Sequence, residues 1–329
     1  MITTNADLRK YVNANNHMDI DVLVPKIAQA ERFILQYVEK PLITQLKARE
    51  LANTVTDEWI ELQKNYDGFL AHWSIFKTMP ELYAQLSAAG ISTMSTETNE
   101  RSPKWAYEER KRSHYITAYD YLEDMLVHIH ANCMVSGQAF YAYVSNDYRD
   151  KFKVLFKDSK DFNKVSYHKI NFFTFLQLTS AQQETIDFHI KPMFGEEYLL
   201  LLIDNPSKTS TDKIVLDYIK KIVAAQMLQR CIDIAVVQID AQGLRAIDIA
   251  DDESILGSGL TQTAKIDLKK KLDSDTNHYV RMLQNTIRTA AADMTDDIED
   301  TPIYADWNEK DEVIRENYNN DTANGSFFF

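Results

Sequence analysis

The feature that most constrains the fold is a repeat, because three blocks of the first part of the chain return in the same order in the second. Gly90 aligned with Gly243, an offset of 153, pairs Leu70 with Val223, Ala71 with Ala224, Ile75 with Leu228, Leu86 with Ile239 and Ile91 with Leu244. An offset of 158 pairs Ala106, Tyr121, Leu122, Met125 and Ile129 with Ala264, Tyr279, Val280, Leu283 and Ile287. An offset of 156 pairs Glu31, Ile34, Leu42, Ile43 and Leu46 with Asp187, Ile190, Tyr198, Leu199 and Leu202. Ordered blocks with slowly drifting offsets indicate a duplicated helical unit with loop insertions; the alternative is chance similarity between amphipathic helices.

The composition favours long regular elements. The 329 residues include only 8 glycines and 7 prolines, which leaves few turns for a many-stranded architecture. The predicted fold is therefore mainly α: two tandem helical-bundle domains of duplicated origin, joined by a short mixed α/β connector and followed by an extended C-terminal tail.

Residues 1–131 are predicted to form the first helical bundle. Thr4 caps a short helix that runs to Tyr11, with Asp7 as the acidic partner of a capping box. The remaining helices are expected from Asp19 or Asp21 to Val38, from Asp57 to Ala89 with Gly90 as the stop, and from Ser102 past Ile129. Four helices around one apolar seam make a small bundle.

Residues 132–178 are predicted to be the connector, with strands at Ala139–Val144 and at Lys151–Phe156, where apolar residues alternate with period two. Residues 179–292 form the second bundle. Its long helices are expected from Asp212 to Ala241, with Gly243 as the stop, and from Leu260 to Arg288.

Residues 293–329 are predicted to be an acidic, extended tail. This segment holds eleven Asp or Glu against two Lys or Arg, so it carries −9 of the formal net charge of −13. Four of its aromatic residues, Trp307, Phe327, Phe328 and Phe329, are the candidate partner-binding residues, because large apolar side chains are unusual in a segment that contacts only water. The alternative is a tail that folds back on its own body.

Charge and hydropathy set broad limits. The acidic balance disfavours a nucleic-acid-binding surface, although the body is nearly neutral and leaves room for a basic patch. Cys133 and Cys231 have no motif spacing and are expected to be reduced thiols. The first residues lack the basic start and apolar run of a signal peptide, and no run approaches a membrane span, so we expect a protein made in the cytoplasm that neither crosses nor enters a membrane.

No motif of catalysis or cofactor binding is visible, so we expect no enzyme, no cofactor and no metal. The nearest approach to a ligand set is His128-x-His130-x-x-Cys133, and residues two apart on a helix face different directions. His72 is interpreted as a polar edge of the bundle. Basic residues cluster near the starts of two predicted helices: Lys104, Arg110, Lys111 and Arg112, and Lys265, Lys269, Lys270 and Lys271. They are interpreted as solvated helix faces; the alternative is a basic edge that meets the acidic tail of a neighbouring copy.

Three segments carry a resemblance to a known group: Leu8–Val12, Val24–Ile34, and Met79–Leu82 with Ala88–Ile91. They resemble an uncharacterised family of tailed phages and prophages of Bacteroidetes that occurs among virion-assembly proteins. That family is similar in turn to head–tail connector proteins, also called adaptor or head-completion proteins. The resemblance covers about residues 5–292, rests on loose helical patterns, and is weaker in the second unit, where Gln242-Gly243-Leu244 replaces Ala89-Gly90-Ile91.

The resemblance implies a structural neck subunit at the head–tail junction of the virion. It implies a closed ring of about twelve copies that contacts the portal protein and tail or neck proteins, with DNA passing through the lumen without specific binding. It brings no catalytic residues. Two other interpretations stay open: a helical interaction module or scaffold outside the virion neck, and an enzyme whose site is too dispersed to recognise in the sequence.

Overall fold

The computed structural model describes residues 2–12, 20–88, 104–204, 208–234, 236–240, 243–247 and 261–292. Contacts divide them into two compact units, and the division falls between Arg149 and Asp150, inside the segment predicted to be a connector. The predicted boundaries at residues 131, 178 and 292 stay predictions. The acidic tail, Gly90 and the loop Gly257–Gly259 lie outside the described residues.

In the described residues, the first unit contains five α-helices before residue 132, a 3-10 turn and a short sixth helix at the boundary between the units. Helix α1 spans Asn5–Arg9, α2 Ile20–Ile34, α3 Lys40–Leu51, α4 Asp57–Ala88 and α5 Lys104–Ala131, followed by a 3-10 turn at Tyr141–Tyr143 and α6 at Asn146–Asp150. The predicted capping box is confirmed: the Thr4 hydroxyl accepts from the Asp7 amide at 3.2 Å, and the Asp7 carboxylate accepts from the Thr4 amide at 3.2 Å.

The second unit repeats this plan with short helices in front. Helix α7 spans Ser159–Val165, α8 Phe172–Gln177, α9 Thr179–Thr185, a π-helix Ile186–Ile190, α10 Lys191–Phe194, α11 Glu196–Asp204 and α12 Ser210–Ile234. An antiparallel hairpin follows, with β1 at Val236–Asp240 and β2 at Gly243–Ile247, and α13 spans Gln262–Ala292.

The duplication predicted from the sequence is confirmed by the helix starts. Helices α3 and α11 start 156 residues apart, α4 and α12 start 153 apart, and α5 and α13 start 158 apart, which are the three offsets of the sequence repeat. In each unit the main packing is between the two long helices: α4 with α5, and α12 with α13. The chain is therefore mainly α, with two tandem bundles of duplicated origin.

Burial follows the same register. Buried pairs of equivalent residues line the long helices: Leu62 and Val215, Phe69 and Ile222, Leu70 and Val223, Ala71 and Ala224, Leu122 and Val280, Met125 and Leu283, Ile129 and Ile287. In α5 and α13 these residues recur at spacings of three and four and lie on one helix face. In α4 and α12 three of them are consecutive, so these two helices are covered on more than one face. The same buried positions, retained in both copies, thus fix both bundles.

Two strand predictions in the connector are wrong. Ala139–Val144 ends in a 3-10 turn, and Lys151–Phe156 forms turns and bends with no ladder. The buried members of the second segment are Phe152, Leu155 and Phe156, so burial skips Val154 and does not alternate. These phenylalanines join a buried aromatic cluster, in which Phe152 and Phe172 stack at 5.8 Å and Phe156 meets Phe162 edge-on at 5.3 Å.

The helix predicted from Asp212 to Ala241 is also wrong at its C-terminal end. Helix α12 ends at Ile234, and the β-branched Val236-Val237 begins a strand that pairs Val236 with Ile247 and Asp240 with Gly243. Gly243 therefore begins β2 and does not stop a helix. The equivalent residues of the first unit remain in α4, which runs through Pro80 to Ala88.

We expect Gly68→Ala to destabilise the first unit, because a Cβ there would lie 2.6 Å from the Tyr121 ring. Helix propensity favours alanine by about 1 kcal/mol, whereas overpacking costs about 1–3 kcal/mol, so a net loss of about 1 kcal/mol is expected in urea unfolding. Lys221→Ala, at the equivalent position of the second unit, removes no close approach; it breaks a partly exposed ion pair with Asp217 and should cost less than about 1 kcal/mol. A variant Gly68→Ala that unfolds at higher urea than the original protein would contradict the close approach.

Candidate interaction surfaces

The exposed apolar side chains of the second unit lie where the first unit is polar. Phe188 is 70% exposed, and its equivalent is Arg32; Leu200 and Leu201 are 52% and 53% exposed, and their equivalents are Thr44 and Gln45. Three further exposed residues follow the rule: Ile214, Ile266 and Met282 stand in place of Glu61, Glu108 and Asp124. The fold itself does not require apolar residues at these positions, because the first unit forms without them.

Helix α11 shows the contrast most directly. Its buried residues Tyr198, Leu199 and Leu202 match Leu42, Ile43 and Leu46 of α3, so both helices use the same inward face. Only α11 is apolar on the other face as well, through Leu200 and Leu201. A helix that is apolar all round is normally covered on every side, and within the described second unit this face is open.

Polar contacts link α11 to the neighbouring elements. The Lys191 ammonium lies 2.8 Å from Asp187 of the π-helix and 3.0 Å from Glu196 at the start of α11. The Tyr198 hydroxyl lies 3.4 Å from Asp212, which brings the first turn of α12 close to α11. We define the second-unit surface as Leu200 and Leu201.

The π-helix that carries Phe188 has a local cause. Pro192 has no amide hydrogen, and its ring would clash with the carbonyl of Phe188 in a regular α-helix. The chain widens by one residue instead, so the Lys191 amide donates to the Ile186 carbonyl, five residues back. The widened turn leaves Phe188 directed towards solvent.

The first unit exposes apolar side chains at other positions: Val22, Val24, Leu35, Leu51, Ile60, Trp105 and Val135. Leu51 at the end of α3 is 78% exposed and Ile60 in the first turn of α4 is 52% exposed. The equivalent residues of the second unit are Ser207 and Lys213 in the sequence. We define the first-unit surface as Leu51 and Ile60. The two copies of the duplicated bundle thus expose apolar residues at positions that are not equivalent.

Three of the basic residues noted in the sequence contact groups of their own units. Lys111 is buried with its ammonium 5.4 Å from the Phe76 ring centroid, and Lys271 lies 4.8 Å over the exposed Tyr167 ring. Lys269 pairs with Asp233 of α12. The alternative in which these edges meet an acidic tail stays a prediction.

The histidines and the cysteine that the sequence analysis considered as possible ligands or bases lie within the first unit. His128 Nε2 lies 2.8 Å from the Glu58 carbonyl and so links α5 to α4. Cys133 is buried, and burial raises its thiol pKa to about 12. His72, interpreted as a polar edge, is instead half-buried and faces His114, with the two Nδ1 atoms 3.1 Å apart. This pair is not predicted from the sequence.

No group of three or more metal-ligating side chains occurs among the residues that the structure describes. None of the helices in the described ranges combines the length and hydropathy needed to cross a bilayer. The candidate partner-binding residues Trp307, Phe327, Phe328 and Phe329 lie outside those ranges, so their role stays a prediction.

The comparisons with known proteins agree with the duplication. No curated protein and no solved structure matches the chain. One family matches twice, over residues 34–158 and again over residues 183–316, and each match contains one of the two bundles with its long helix pair. The chain belongs to this family, DUF6712, which is described as a family of unknown function.

Proposed function

We propose that the protein is a structural subunit that assembles into a closed ring, as the head–tail connector, or neck adaptor, of a tailed phage. The observation that carries the proposal is the pair of apolar surfaces at non-equivalent positions of two equivalent bundles. The virion, the portal protein and the neck or tail proteins as partners follow from the resemblance described for the sequence.

The occupant of each surface is a second copy of this chain. If the second-unit surface of one copy packs on the first-unit surface of the next, the contact is heterologous, because two different patches meet. Such a contact leaves one free patch at each end, so copies add until the rotation closes a ring. Leucine and isoleucine side chains that are half exposed in one copy would then lose their remaining contact with water.

The duplication gives a physical reason for this arrangement. Both bundles keep the same buried positions along their long helices, and their outward positions have diverged in chemistry. Apolar residues then accumulated at one set of outward positions in one copy and at another set in the other. A connector performs no reaction and needs only such contacts, together with surfaces for the portal and tail proteins.

The ring is tested by breaking one surface at a time with the residues of the other unit. We expect Leu200→Thr with Leu201→Gln, and separately Leu51→Ser with Ile60→Lys, each to abolish higher assembly in light scattering and native mass spectrometry. Mixing the two variants should give a heterodimer, of twice 38.0 kDa, because one intact contact remains and cannot propagate. Thr44→Ala with Gln45→Ala, on the equivalent face of α3, is the control and should leave assembly unchanged.

Two outcomes would overturn this arrangement. If the Leu51→Ser, Ile60→Lys variant still forms dimers alone, the second-unit surface binds itself and the contact is isologous. If the original protein stays monomeric with and without a portal protein, it forms no ring, and the interpretation as an interaction module outside the neck takes its place. Surface substitutions of this kind should each shift the free energy of unfolding by less than about 0.5 kcal/mol, so folding is a direct check on all variants.

The tail is tested separately. We expect deletion of residues 324–329, which removes the three terminal phenylalanines, to lower the assembled fraction if the segment docks into a neighbouring copy. Replacing Asn319, Asn320 and Thr322 with serine is a control that alters the tail without touching its aromatic residues or its charge. Unchanged assembly after the deletion would remove Phe327, Phe328 and Phe329 from the candidate partner-binding residues.

A further inference from the structure

The second family match runs past the last described helix. It ends at residue 316, which is 24 residues beyond Ala292 at the end of α13. The first match ends at residue 158, which is 27 residues beyond Ala131 at the end of α5. The two matches end 158 residues apart, which is also the offset between the starts of α5 and α13. Residues 293–316 are therefore the family counterpart of residues 132–158 and belong to the repeat.

A short pattern recurs inside these two segments. Residues 140–144 read Phe-Tyr-Ala-Tyr-Val, and residues 303–307 read Ile-Tyr-Ala-Asp-Trp, at an offset of 163. Counted from the starts of α5 and α13, five more residues precede the pattern in the second unit. The first unit turns here at Gly137, with φ of 92°. At an offset of 158 its equivalent is Thr295, and threonine is strained at that φ, so the second unit needs a different turn.

In the first unit, residues 140–144 cover the junction between the start of α4 and the end of α5. Phe140 and Val144 are buried, and the Phe140 ring meets Trp59 edge-on at 5.0 Å and His128 edge-on at 5.4 Å. The Tyr143 ring meets Trp59 edge-on at 5.5 Å. Trp59, in the first turn of α4, is only 2% exposed. The segment after α5 thus completes the first bundle at this end.

The same junction of the second unit carries smaller side chains. Asp212 stands in place of Trp59, and Thr286 in place of His128; both are half-buried. The Asp212 carboxylate accepts from the Thr209 amide at 3.0 Å and so caps α12. Met282, one turn before Thr286 on the same face of α13, is 37% exposed. At these positions the second unit supplies less side-chain volume than the first and leaves apolar surface in water.

The segment after α13 carries the volume that this junction lacks. Trp307 has the position of Val144, so the large side chain has moved from the bundle to the segment. Ile303 has the position of Phe140 and keeps it apolar. Cores accept exchanges of large and small residues when the total volume and the pattern are kept. The two changes, Trp59 to Asp212 and Val144 to Trp307, therefore compensate each other.

Chain length and charge also fit this placement. The first unit uses 13 residues from the end of α5 to Val144, and 15 residues are available from the end of α13 to Trp307. The start of α12 is positive through its helix dipole, and Lys213 in its first turn is exposed. Asp306, beside Trp307, is favoured next to such a helix start.

We propose that residues 303–307 fold back on their own second unit and cover the start of α12 and the end of α13, with Ile303 and Trp307 buried there. The segment completes the second bundle as residues 140–144 complete the first. Only residues 317–329 of the acidic tail then remain to contact partners. The site is separate from the second-unit surface, so the proposal does not depend on the ring.

The test is hydrogen exchange in the full chain, in peptides covering residues 210–219 and 281–292. Ile303→Ser with Trp307→Ser should raise the exchange rates of these peptides about tenfold or more, because two large apolar side chains no longer cover them. Tyr318→Ser, an aromatic residue just beyond the family match, is the matched control and should leave the rates unchanged. Peptides from α4 and α5 should not change in either variant. Unchanged exchange in the Ile303→Ser, Trp307→Ser variant would overturn the proposal.

A second measurement separates folding back from docking on a neighbouring copy. The two tail variants are repeated in the Leu51→Ser, Ile60→Lys background, which carries only one of the two assembly surfaces, at low and at high protein concentration. The protection that Ile303 and Trp307 give should be equal at both, because a contact within one chain does not follow mass action. Protection that is present only at high concentration would assign the segment to a neighbouring copy and overturn the proposal. Light scattering of the original protein reports the ring separately.

Discussion

The fold depends on the packing of two long helices against each other, repeated twice. In each unit the second long helix lies against the first along one apolar stripe, and the stripes of the two units occupy the same register. Exposed positions of these helices can vary with little effect on the bundle, whereas close approaches such as Gly68 against Tyr121 cannot. The common core and the different surfaces of the two units have this single origin.

The stripe tolerates different fillings at the same positions. In the first unit the α2–α4–α5 contact is aromatic: Phe33 stacks on Trp73 at 4.8 Å and on Phe69 at 5.8 Å. In the second unit the residue equivalent to Phe69 is Ile222. The buried aromatic side chains of this unit form a separate cluster around α7 and α8: Phe152, Phe156, Phe162, Phe172 and Phe175. Cores accept such exchanges when the total volume and the pattern are kept. The polar links differ too: Tyr66 donates to Glu31 at 2.8 Å, whereas its equivalent is the apolar Ile219.

The sequence predicted most of the helical frame, because repeats and capping are local signals. The three offsets locate the starts of α11, α12 and α13 once α3, α4 and α5 are known, and Thr4 with Asp7 locates α1. The failures occur where a short apolar run has no period long enough to decide between states. Val236–Ile239 continues the helical stripe of α12 in the sequence, yet β-branched residues and the nearby Gly243 favour a hairpin. Lys151–Phe156 alternates in the sequence, yet tertiary packing draws Phe152, Leu155 and Phe156 into an aromatic core without a strand.

The His72–His114 pair cannot be recognised along the sequence, but it stands out when the two duplicated units are aligned. His72 and His114 are 42 residues apart, and neither position carries a motif. The repeat offsets, however, align them with Ala225 and Leu272, and the two long helices of a bundle must meet along these stripes. Two polar residues that replace two apolar ones at facing positions of one seam indicate a constraint present in one copy only. The same comparison identifies Leu200 and Leu201 against Thr44 and Gln45. In a duplicated protein, one unit serves as a reference for the other. Equivalent positions with similar residues indicate what the fold requires. Equivalent positions with chemically different residues indicate what one copy does in addition.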